Sequence, residues 1–444
     1  MGHLLHDTKE TYLQLQRRVD NTQAGLPSTE QLHDILQHLF TPEEARIAAL
    51  MPVVPRSLGT IAQRVRMRPD ELRPLLDRMA DKGLVFDFHH PSRGAYFMLA
   101  PPVIGFFEFS MMRVRSDIDQ KQVAHLLSTY LYDRPEFARA LAQGGTPIGR
   151  TLVREDTLEP ADQVSTEVLD YERATQIARQ ASAGAVSLCY CRHKRQHLGE
   201  ACDNPLEVCL SLGNGADFVV RHGYGRPVDV SERLEILERC RSLGLVQIAD
   251  NVQQKPTYIC NCCACCCGQL AAINRHGLQH AVATSSFIAS IRRDQCHGCG
   301  KCSRACPVQA ISLHPVPQHQ RQTRGPKMFA RIDEQVCLGC GVCKPSCTNS
   351  ALTMKRRAQR TLTPANTLER VLRTHLGRGT LHGVLFDELD GPSSAFANRL
   401  IGAIERMPVT RRAMLNETLK SRFVQFLCKA AVKDRRQPAE VYEG

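Results

Sequence analysis

The chain has no tryptophan, and aromatic residues make up only 5% of its 444 residues. Long apolar runs are also missing: the longest, Leu99 to Met112 (LAPPVIGFFEFSMM), contains two prolines and Glu108. It is shorter than the about 20 apolar residues of a membrane-spanning helix, so we expect buried core or a domain contact. The N-terminus, MGHLLHDTKETYLQLQRR, is charged where a secretory signal has its apolar segment. These absences predict a cytoplasmic protein without a membrane span.

Motifs for organic cofactors are lacking as well. Gly213-Asn214-Gly215 has no third glycine, and its surroundings do not suggest the strand, turn and helix of a dinucleotide-binding motif. Residues 357–444 offer no nucleophile with a partner base and no phosphate loop. We therefore predict no organic cofactor and assign no catalytic residue.

Cysteine, in contrast, is abundant, with 20 residues. Eight of them form two runs with the spacing C-x2-C-x2-C-x3-C, the bacterial ferredoxin ligand pattern, in which the fourth thiolate of each run reaches the other cluster. One [4Fe-4S] cluster is thus predicted to be bound by Cys296, Cys299, Cys302 and Cys347. The other is predicted to be bound by Cys337, Cys340, Cys343 and Cys306. Zinc is the alternative, but zinc sites usually pair two short CxxC units across a longer gap.

The two runs belong to an internal repeat. Ala289 to Leu313 aligns with Ala330 to Met354 at an offset of 41 residues, and the two segments share the four cysteines, two glycines and the alanine at 310 and 351. Residues 281–356 resemble the two-cluster [4Fe-4S] bacterial ferredoxins. The resemblance implies a small α+β module in which a strand enters each cysteine run and a short helix follows the last cysteine. Thr348 departs from the family pattern, which has a proline there, as at Pro307.

A second cysteine-rich region lies upstream. We predict a helix from Tyr171 to about Ser182, ended by Gly184, and then a buried strand, Ala185 to Cys191 (AVSLCYC), on which Cys189 and Cys191 share a face. Cys240, on the apolar face of a helix, is most simply core. The other ten thiols are candidate metal ligands: Cys189, Cys191, Cys202, Cys209, Cys260, Cys262, Cys263, Cys265, Cys266 and Cys267.

The spacing of these ten thiols along the chain does not show which of them would bind the same metal centre. They could fill two cubane clusters with two thiols spare, one cluster of unusual nuclearity, or one cluster with a redox-active dithiol. Mononuclear zinc, with or without His193 or His197, is a further alternative, and a disulfide fits a reducing cytosol poorly. The order of motifs in this chain resembles that of the larger soluble 4Fe-4S-binding proteins of anaerobic bacteria. The motifs are, in order, CxCRHK, LGEACDNPLEVCL, ICNCCACCC and the ferredoxin-like module. That resemblance supports metal binding without supplying a substrate.

The N-terminal third is poor in cysteine and helical in pattern. Thr41, Pro42 and Glu44 predict a capped helix. Ser57 to Val65 and Pro69 to Lys82 predict two short helices, and Leu84 to Leu99 predicts a hairpin. Helix, helix-turn-helix and a two-stranded wing resemble the winged-helix family.

The predicted second helix of this motif does not suit DNA. With Lys82 it carries four acidic and three basic residues, where groove-reading helices are normally basic. Arg64, Arg66, Arg68 and the wing-tip residues His89, His90 and Arg93 could still contact phosphates. We therefore prefer protein docking to DNA binding.

The residues that follow the ferredoxin-like module are predicted to be helical. Asn366 and Glu369 predict a helix cap, and further helices are expected near Ala395 to Met407 and Arg411 to Val432. Cys428, alone among apolar residues, is most simply core.

The predicted fold class is α+β multidomain: a ferredoxin-type 2[4Fe-4S] module, a cysteine-rich α/β domain, an N-terminal winged-helix-like domain and a helical C-terminal region. The expected units are an N-terminal helical segment (1–40), the winged-helix-like domain (41–100), a helical connector (101–170), the cysteine-rich metal-binding domain (171–280), the ferredoxin-type domain (281–356) and the C-terminal region (357–444).

The expected function is one-electron transfer through two [4Fe-4S] clusters, as redox partner or subunit of a larger oxidoreductase system. Further iron–sulfur clusters or zinc are expected within residues 189–267. The expected partner is a redox protein. Alternatives are a redox-sensing winged-helix transcription regulator and an oxidoreductase with a catalytic metal site in the central domain.

Overall fold

The structure is a computed structural model that describes residues 2–22, 24–90, 92, 94–133, 135–158, 170–279, 281–317, 326–359, 361–385, 407 and 417–433. These residues form 17 α-helices, several short helical turns of other types and four small sheets, a mixed α/β architecture. Within them, no helix combines the length and apolar character needed to cross a membrane.

The N-terminal region begins with helices α1 (Gly2–Asp20), α2 (Glu30–Leu39) and α3 (Pro42–Leu50). The predicted cap of α3 is confirmed: the Glu44 backbone N–H donates to Thr41 Oγ1 at 3.3 Å, and the Thr41 N–H donates to the Glu44 carboxylate at 2.9 Å. Because two otherwise unpaired donors are satisfied, this capping box stabilises the start of the helix.

The next elements are β1 (Arg56–Ser57), α4 (Leu58–Val65), α5 (Pro69–Asp81), β2 (Val85–His90) and β3 (Gly94–Leu99). The two predicted helices and the hairpin are confirmed, with Ser57 as the N-cap of α4. The sequence did not indicate β1, which pairs with β3, so the sheet has the order β1-β3-β2.

A connector follows, with short helix α6 (Phe107–Phe109), then α7 (Gln120–Ser128) and α8 (Pro135–Ala142). The apolar run Leu99 to Met112, which includes α6, contributes to the core as predicted: Phe106 and Phe107 are each 1% exposed. Their rings belong to a continuous apolar core that extends from the N-terminal helices to Ala185 and Phe218 of the central region.

The central sheet has six antiparallel strands in the order β4-β8-β9-β6-β5-β7. The strands are β4 (Gly149–Thr151), β5 (Gly184–Leu188), β6 (Glu207–Leu212), β7 (Gly225–Pro227), β8 (Val246–Asp250) and β9 (Tyr258–Cys262). Helices α9 (Ala174–Gln180), α10 (Tyr190–His197), α11 (Asn214–Arg221), α12 (Val230–Ser242) and α13 (Gly268–His276) accompany it. Edge strand β4 comes from the segment that we expected to be a connector.

Three local expectations for this region are wrong. Helix α9 ends at Gln180, so Gly184 opens the next strand instead of ending a helix. Strand β5 ends at Leu188, and Cys189 caps α10, so Cys189 and Cys191 do not alternate along a strand. Gly213 does lie between a strand and a helix, with φ +53°, so the turn context that we thought absent is present without the remaining glycines.

The module with the two regular cysteine runs is built from β10 (Phe287–Ile291), α14 (Lys301–Ala305), β11 (Ile311–Pro315), β12 (Met328–Ile332) and β13 (Leu352–Arg356). Strand β10 pairs with β13 and β11 pairs with β12, both antiparallel. A strand precedes each cysteine run, as predicted. The short helix is misplaced in the prediction: α14 contains Cys302 and ends before Cys306, and no described helix directly follows Cys347.

The C-terminal region contains α15 (Thr367–Arg378), α16 (Leu381–Leu385) and α17 (Glu417–Lys433). The predicted cap of α15 is confirmed, since the Glu369 N–H donates to Asn366 Oδ1 at 3.0 Å. The described part of the helix expected near Arg411 to Val432 is helical, and Cys428 packs on Leu372 and its neighbours as expected. The helix expected near Ala395 lies outside the described residues, apart from Met407.

Candidate metal centres

Tight loops place the regular cysteine runs. Gly298 and Gly339 have φ of +64° and +72°, a conformation that side chains rarely adopt. A Cβ on Gly298 would lie 2.2 Å from the Met328 carbonyl oxygen, and one on Gly339 would lie 2.0 Å from the Phe287 carbonyl oxygen. Only glycine therefore lets each cysteine loop fold against the strand beside it.

Electrostatic interactions link the two regular cysteine runs. Burial raises the pKa of Cys302, and Cys296, Cys347 and Cys299 raise it further. Burial also raises the pKa of Cys306, with a contribution from Cys337. Cys347 of the second run therefore contributes to the electrostatic environment of Cys302, and Cys337 of the second run contributes to that of Cys306.

The two groups of thiols are close to each other. Burial raises the pKa of Cys343, and further contributions come from Cys340, Cys306, Cys337 and Cys302, which belong to both runs. Burial raises the pKa of Cys340 to about 12. Thiols in this environment stay protonated unless a cation compensates the charge of their thiolates.

Backbone donors point at two of these sulfur atoms. The Ala310 N–H lies 3.2 Å from Cys306 Sγ, and the Ala330 N–H lies 3.4 Å from Cys296 Sγ. N–H···S bonds of this kind stabilise the negative charge of cluster ligands and tune the reduction potential. Together with the glycine loops, they make the module fit iron–sulfur clusters.

The module is joined to the central region. Lys344 Nζ donates to the Thr157 carbonyl oxygen at 2.7 Å, and the Arg154 N–H donates to the Cys340 carbonyl oxygen at 3.1 Å. Asn274 Nδ2, on α13, donates to the Pro307 carbonyl oxygen at 3.0 Å. One apolar core contains residues of both regions, so the module is built into the protein rather than tethered to it.

The ten central thiols fall into two groups. Four of them, Cys202, Cys263, Cys265 and Cys266, have sulfur atoms that all lie within 4.8 Å of one another. We call these four the compact thiol group. No histidine belongs to it; His193 instead lies 2.7 Å through Nδ1 from the Met111 carbonyl oxygen.

The remaining six are Cys189, Cys191, Cys209, Cys260, Cys262 and Cys267, which we call the cavity thiols. Hydrogen bonds from Cys209 and Cys262 lower the pKa of Cys260 to about 5. Hydrogen bonds from Cys191 and Cys262 lower the pKa of Cys267 likewise. The thiol contacts therefore run in a chain, Cys191 to Cys267 to Cys262 to Cys260 to Cys209, with two positions that favour thiolate.

The cavity thiols, together with Cys263 of the compact thiol group, line a cavity of about 590 Å³. Glu108, which the sequence did not single out, lies in the same lining, and burial raises the pKa of its carboxyl to about 7. Its Oε2 accepts the Gly105 N–H at 3.0 Å. A titratable carboxyl group therefore faces the same space as the thiols.

Four consecutive basic residues, Arg192 to Arg195 (RHKR), are all buried on α10. Arg192 Nη2 lies 3.5 Å from Cys263 Sγ, and Lys194 Nζ lies 3.8 Å from the centre of the Tyr132 ring. Buried cations are costly unless they face negative charge, so this run fits a region that carries thiolates. We did not predict this burial from the sequence, although a basic run directly after two cysteines, on a helix with few apolar residues, could have indicated it.

Residues 295–351 match the family model of the 4Fe-4S dicluster domain. No curated protein and no solved structure matches the chain. The region with two regular cysteine runs is therefore a 4Fe-4S dicluster domain, and the likeness covers this part of the chain alone.

Proposed function

We propose that the protein transfers single electrons through two [4Fe-4S] clusters, as redox partner or subunit of a larger oxidoreductase system. The clusters supply one-electron chemistry, and the chain supplies ligands, burial and N–H···S donors. The family match and the cysteine-rich regions support iron–sulfur electron transfer. The grouping of the dicluster thiols is the observation that carries the finer proposal.

The proposed ligand sets are the crosswise ones. Cys347 joins Cys296, Cys299 and Cys302, because Cys347, Cys296 and Cys299 all contribute to the raised pKa of Cys302. Cys306 joins Cys337, Cys340 and Cys343 for the same reason. Because Cys302 is also among the neighbours of Cys343, the two clusters would be close enough to exchange electrons directly.

Paired cysteine variants test this assignment. Cys299→Ser with Cys347→Ser removes two ligands from one proposed cluster and should cost about four irons relative to the wild-type protein. Cys299→Ser with Cys306→Ser removes one ligand from each cluster and should cost about eight. Iron and acid-labile sulfide would be measured on anaerobically purified full-length protein, with electron paramagnetic resonance of the reduced form.

Cys428→Ser, outside every thiol group, is the control and should keep all its iron. If the two double variants exchange their results, each run binds its own cluster and the crosswise assignment is wrong. If neither loses iron, the electron-transfer proposal fails with it.

We propose that residues 41–100 are a winged-helix-like protein-docking domain. Two features support the likeness to winged-helix domains. The elements follow one another as helix, strand, two helices and hairpin, and the sheet has the strand order β1-β3-β2. Two of the basic side chains of this segment pair with nearby acids: Arg73 with Asp77 at 2.8 Å and Arg68 with Asp70 at 2.6 Å. Those pairs leave less positive charge for phosphates, which favours a redox protein as partner. A DNA-binding regulator would instead require salt-dependent affinity for a defined operator.

A cytoplasmic location is part of the proposal, because thiolate ligands need a reducing compartment.

A second candidate function is an oxidoreductase site at the cavity. The cavity thiols exceed the four ligands of a cubane, and Glu108 provides a proton-exchanging group in the same lining. An additional cluster bound there would face a space of about 590 Å³ large enough for a small substrate. Iron analysis of a Cys191→Ser variant tests whether these thiols hold a cluster.

A further inference from the structure

We propose that the compact thiol group, Cys202, Cys263, Cys265 and Cys266, binds a single tetrahedral Zn²⁺ ion. This site lies outside the dicluster domain and uses none of the six cavity thiols, although Cys263 also lines the cavity. It does not depend on the proposed electron-transfer function. It assigns four of the ten central thiols to a mononuclear centre of fixed oxidation state.

Sulfur spacing is the first argument. Cys202 Sγ lies 3.6 Å from Cys263 Sγ and 3.9 Å from Cys266 Sγ, and Cys265 Sγ lies 3.7 Å from Cys266 Sγ. Four thiolates about 2.3 Å from one zinc ion stand about 3.8 Å apart at the corners of a tetrahedron. The sulfur atoms therefore have the spacing of ligands that share one ion.

An iron–sulfur cubane does not fit this spacing. Its four thiolates bind four different irons at the outer corners of the cluster, so they are further apart than ligands of one ion. The upper limit of 4.8 Å between any two sulfur atoms of the compact group leaves no room for such a core. A closed four-sulfur shell around one ion is the arrangement of structural zinc sites.

Neighbouring donors are the second argument. Arg192 Nη2 lies 3.5 Å from Cys263 Sγ, and Asn204 Nδ2 donates to Cys202 Sγ at 3.3 Å. A divalent ion with four thiolates carries a net charge of about −2. The buried Arg192 guanidinium compensates part of that charge, and the Asn204 amide orients one ligand, as outer-shell partners of metal sites do.

The position of the site in the fold gives its role. Cys263, Cys265 and Cys266 occupy the turn between β9 and α13, and Cys202 comes from the loop after α10. An ion shared by the four thiols would fix that turn to that loop. The turn lies between Cys260 and Cys262 on β9 and Cys267 at the start of α13, so zinc would hold these three cavity thiols in place.

The test is a metal analysis of the anaerobically purified full-length protein. We expect about one zinc per chain in the wild type, and we expect Cys265→Ser to lose most of it with iron and sulfide unchanged. Cys240→Ser, a buried thiol outside both groups, should retain the zinc. Cys299→Ser should lose iron and retain zinc, which separates this proposal from the electron-transfer function.

Cobalt provides a test that does not rely on a folded variant. Wild-type protein produced with Co²⁺ should show the intense visible absorption of tetrahedral cobalt with four thiolates, and added Zn²⁺ should remove it. The proposal is overturned if the wild type lacks stoichiometric zinc, if a single iron without sulfide occupies the site, or if Cys265→Ser loses iron and sulfide instead of zinc.

Discussion

The two cysteine-rich regions assemble their thiols in different ways. In the dicluster domain, three ligands of each proposed set follow one another within seven residues of a glycine-rich loop. In the central region, the thiols come from the end of β5, from α10, from β6 and its preceding loop, and from β9 and the turn after it. The first arrangement is a local property of the backbone, whereas the second exists only once the sheet has formed.

This difference determines which kinds of metal site each region can form. A loop that presents ligands locally can bind a cluster of one type at a defined site. A sheet that gathers ten thiols can separate them by face and depth, which yields one compact group and one group along a cavity. The central region is therefore the place where chemistry beyond electron transfer is proposed.

The largest expected effect tests the local character of the dicluster domain. Gly339→Ala would place a Cβ 2.0 Å from the Phe287 carbonyl oxygen, so the second cysteine loop must shift away from β10. We expect the variant to lose about four irons, measured against wild type by iron and sulfide content. Gly277→Ala is the matched control, because Gly277 has φ +64° and no atom within 4 Å of an added Cβ.

Both glycine variants carry the left-handed backbone cost of about 1 to 2 kcal/mol, so a difference between them reports the collision alone. Equal iron content in the two proteins would show that the loop does not need close contact with β10.

The next effect tests whether the cavity thiols bind iron. Cys191→Ser breaks the contact chain at one end, where Cys191 donates to Cys267. If the group holds a further cluster, the variant should lose iron and sulfide from the central region, keep the reduced signals of the dicluster domain and keep its zinc. Cys240→Ser, 0% exposed and outside the chain of contacts, is the control. An unchanged iron content in Cys191→Ser would remove the support for a catalytic cluster at the cavity.

The sequence predicted the local features well. The Thr41 capping box, the helices at residues 57–82 and the cap at Asn366 depend on neighbours within four residues, and all are confirmed. The dicluster domain was recognisable because its ligand spacing is itself the motif.

Features that depend on distant residues were not predictable in the same way. The division of the ten thiols needs the pairing of β6 with β9, which brings Cys209 beside Cys260 across about fifty residues of chain. Glu108 becomes a cavity group only because the connector packs on α10. The sequence AVSLCYC is apolar and predicted a strand through Cys191, but the helix that carries the basic run begins at Tyr190.

The smallest effect concerns the contact between the N-terminal domain and the central region, and it should leave both metal regions intact. Asp87, on β2, accepts hydrogen bonds from Arg221 at 2.6 Å and lies 2.9 Å from His222 Nε2. Burial opposes ionisation of Asp87, but the hydrogen bonds from His222 and Arg221 outweigh it and lower the pKa of the carboxyl. Burial also opposes protonation of His222, but Asp87 and Asp81 outweigh it and raise the pKa of the imidazole.

The two shifts give opposite pH dependences. Stabilisation from Asp87 is present above its unfolded pKa of about 4 and is lost as the pH falls below it, whereas stabilisation from His222 is present below about 6.5 and is lost as the pH rises through its higher folded pKa. Asp87→Asn should therefore lower the free energy of unfolding by about 3 kcal/mol near pH 5.5 and by less near pH 8.5 or pH 3. Denaturant midpoints followed by circular dichroism would measure this, with exposed Asp77→Asn as a control that costs about 0.5 kcal/mol. A loss that does not vary with pH would mean that Asp87 acts without His222, and a loss of iron or zinc would mean that this contact also supports the metal regions.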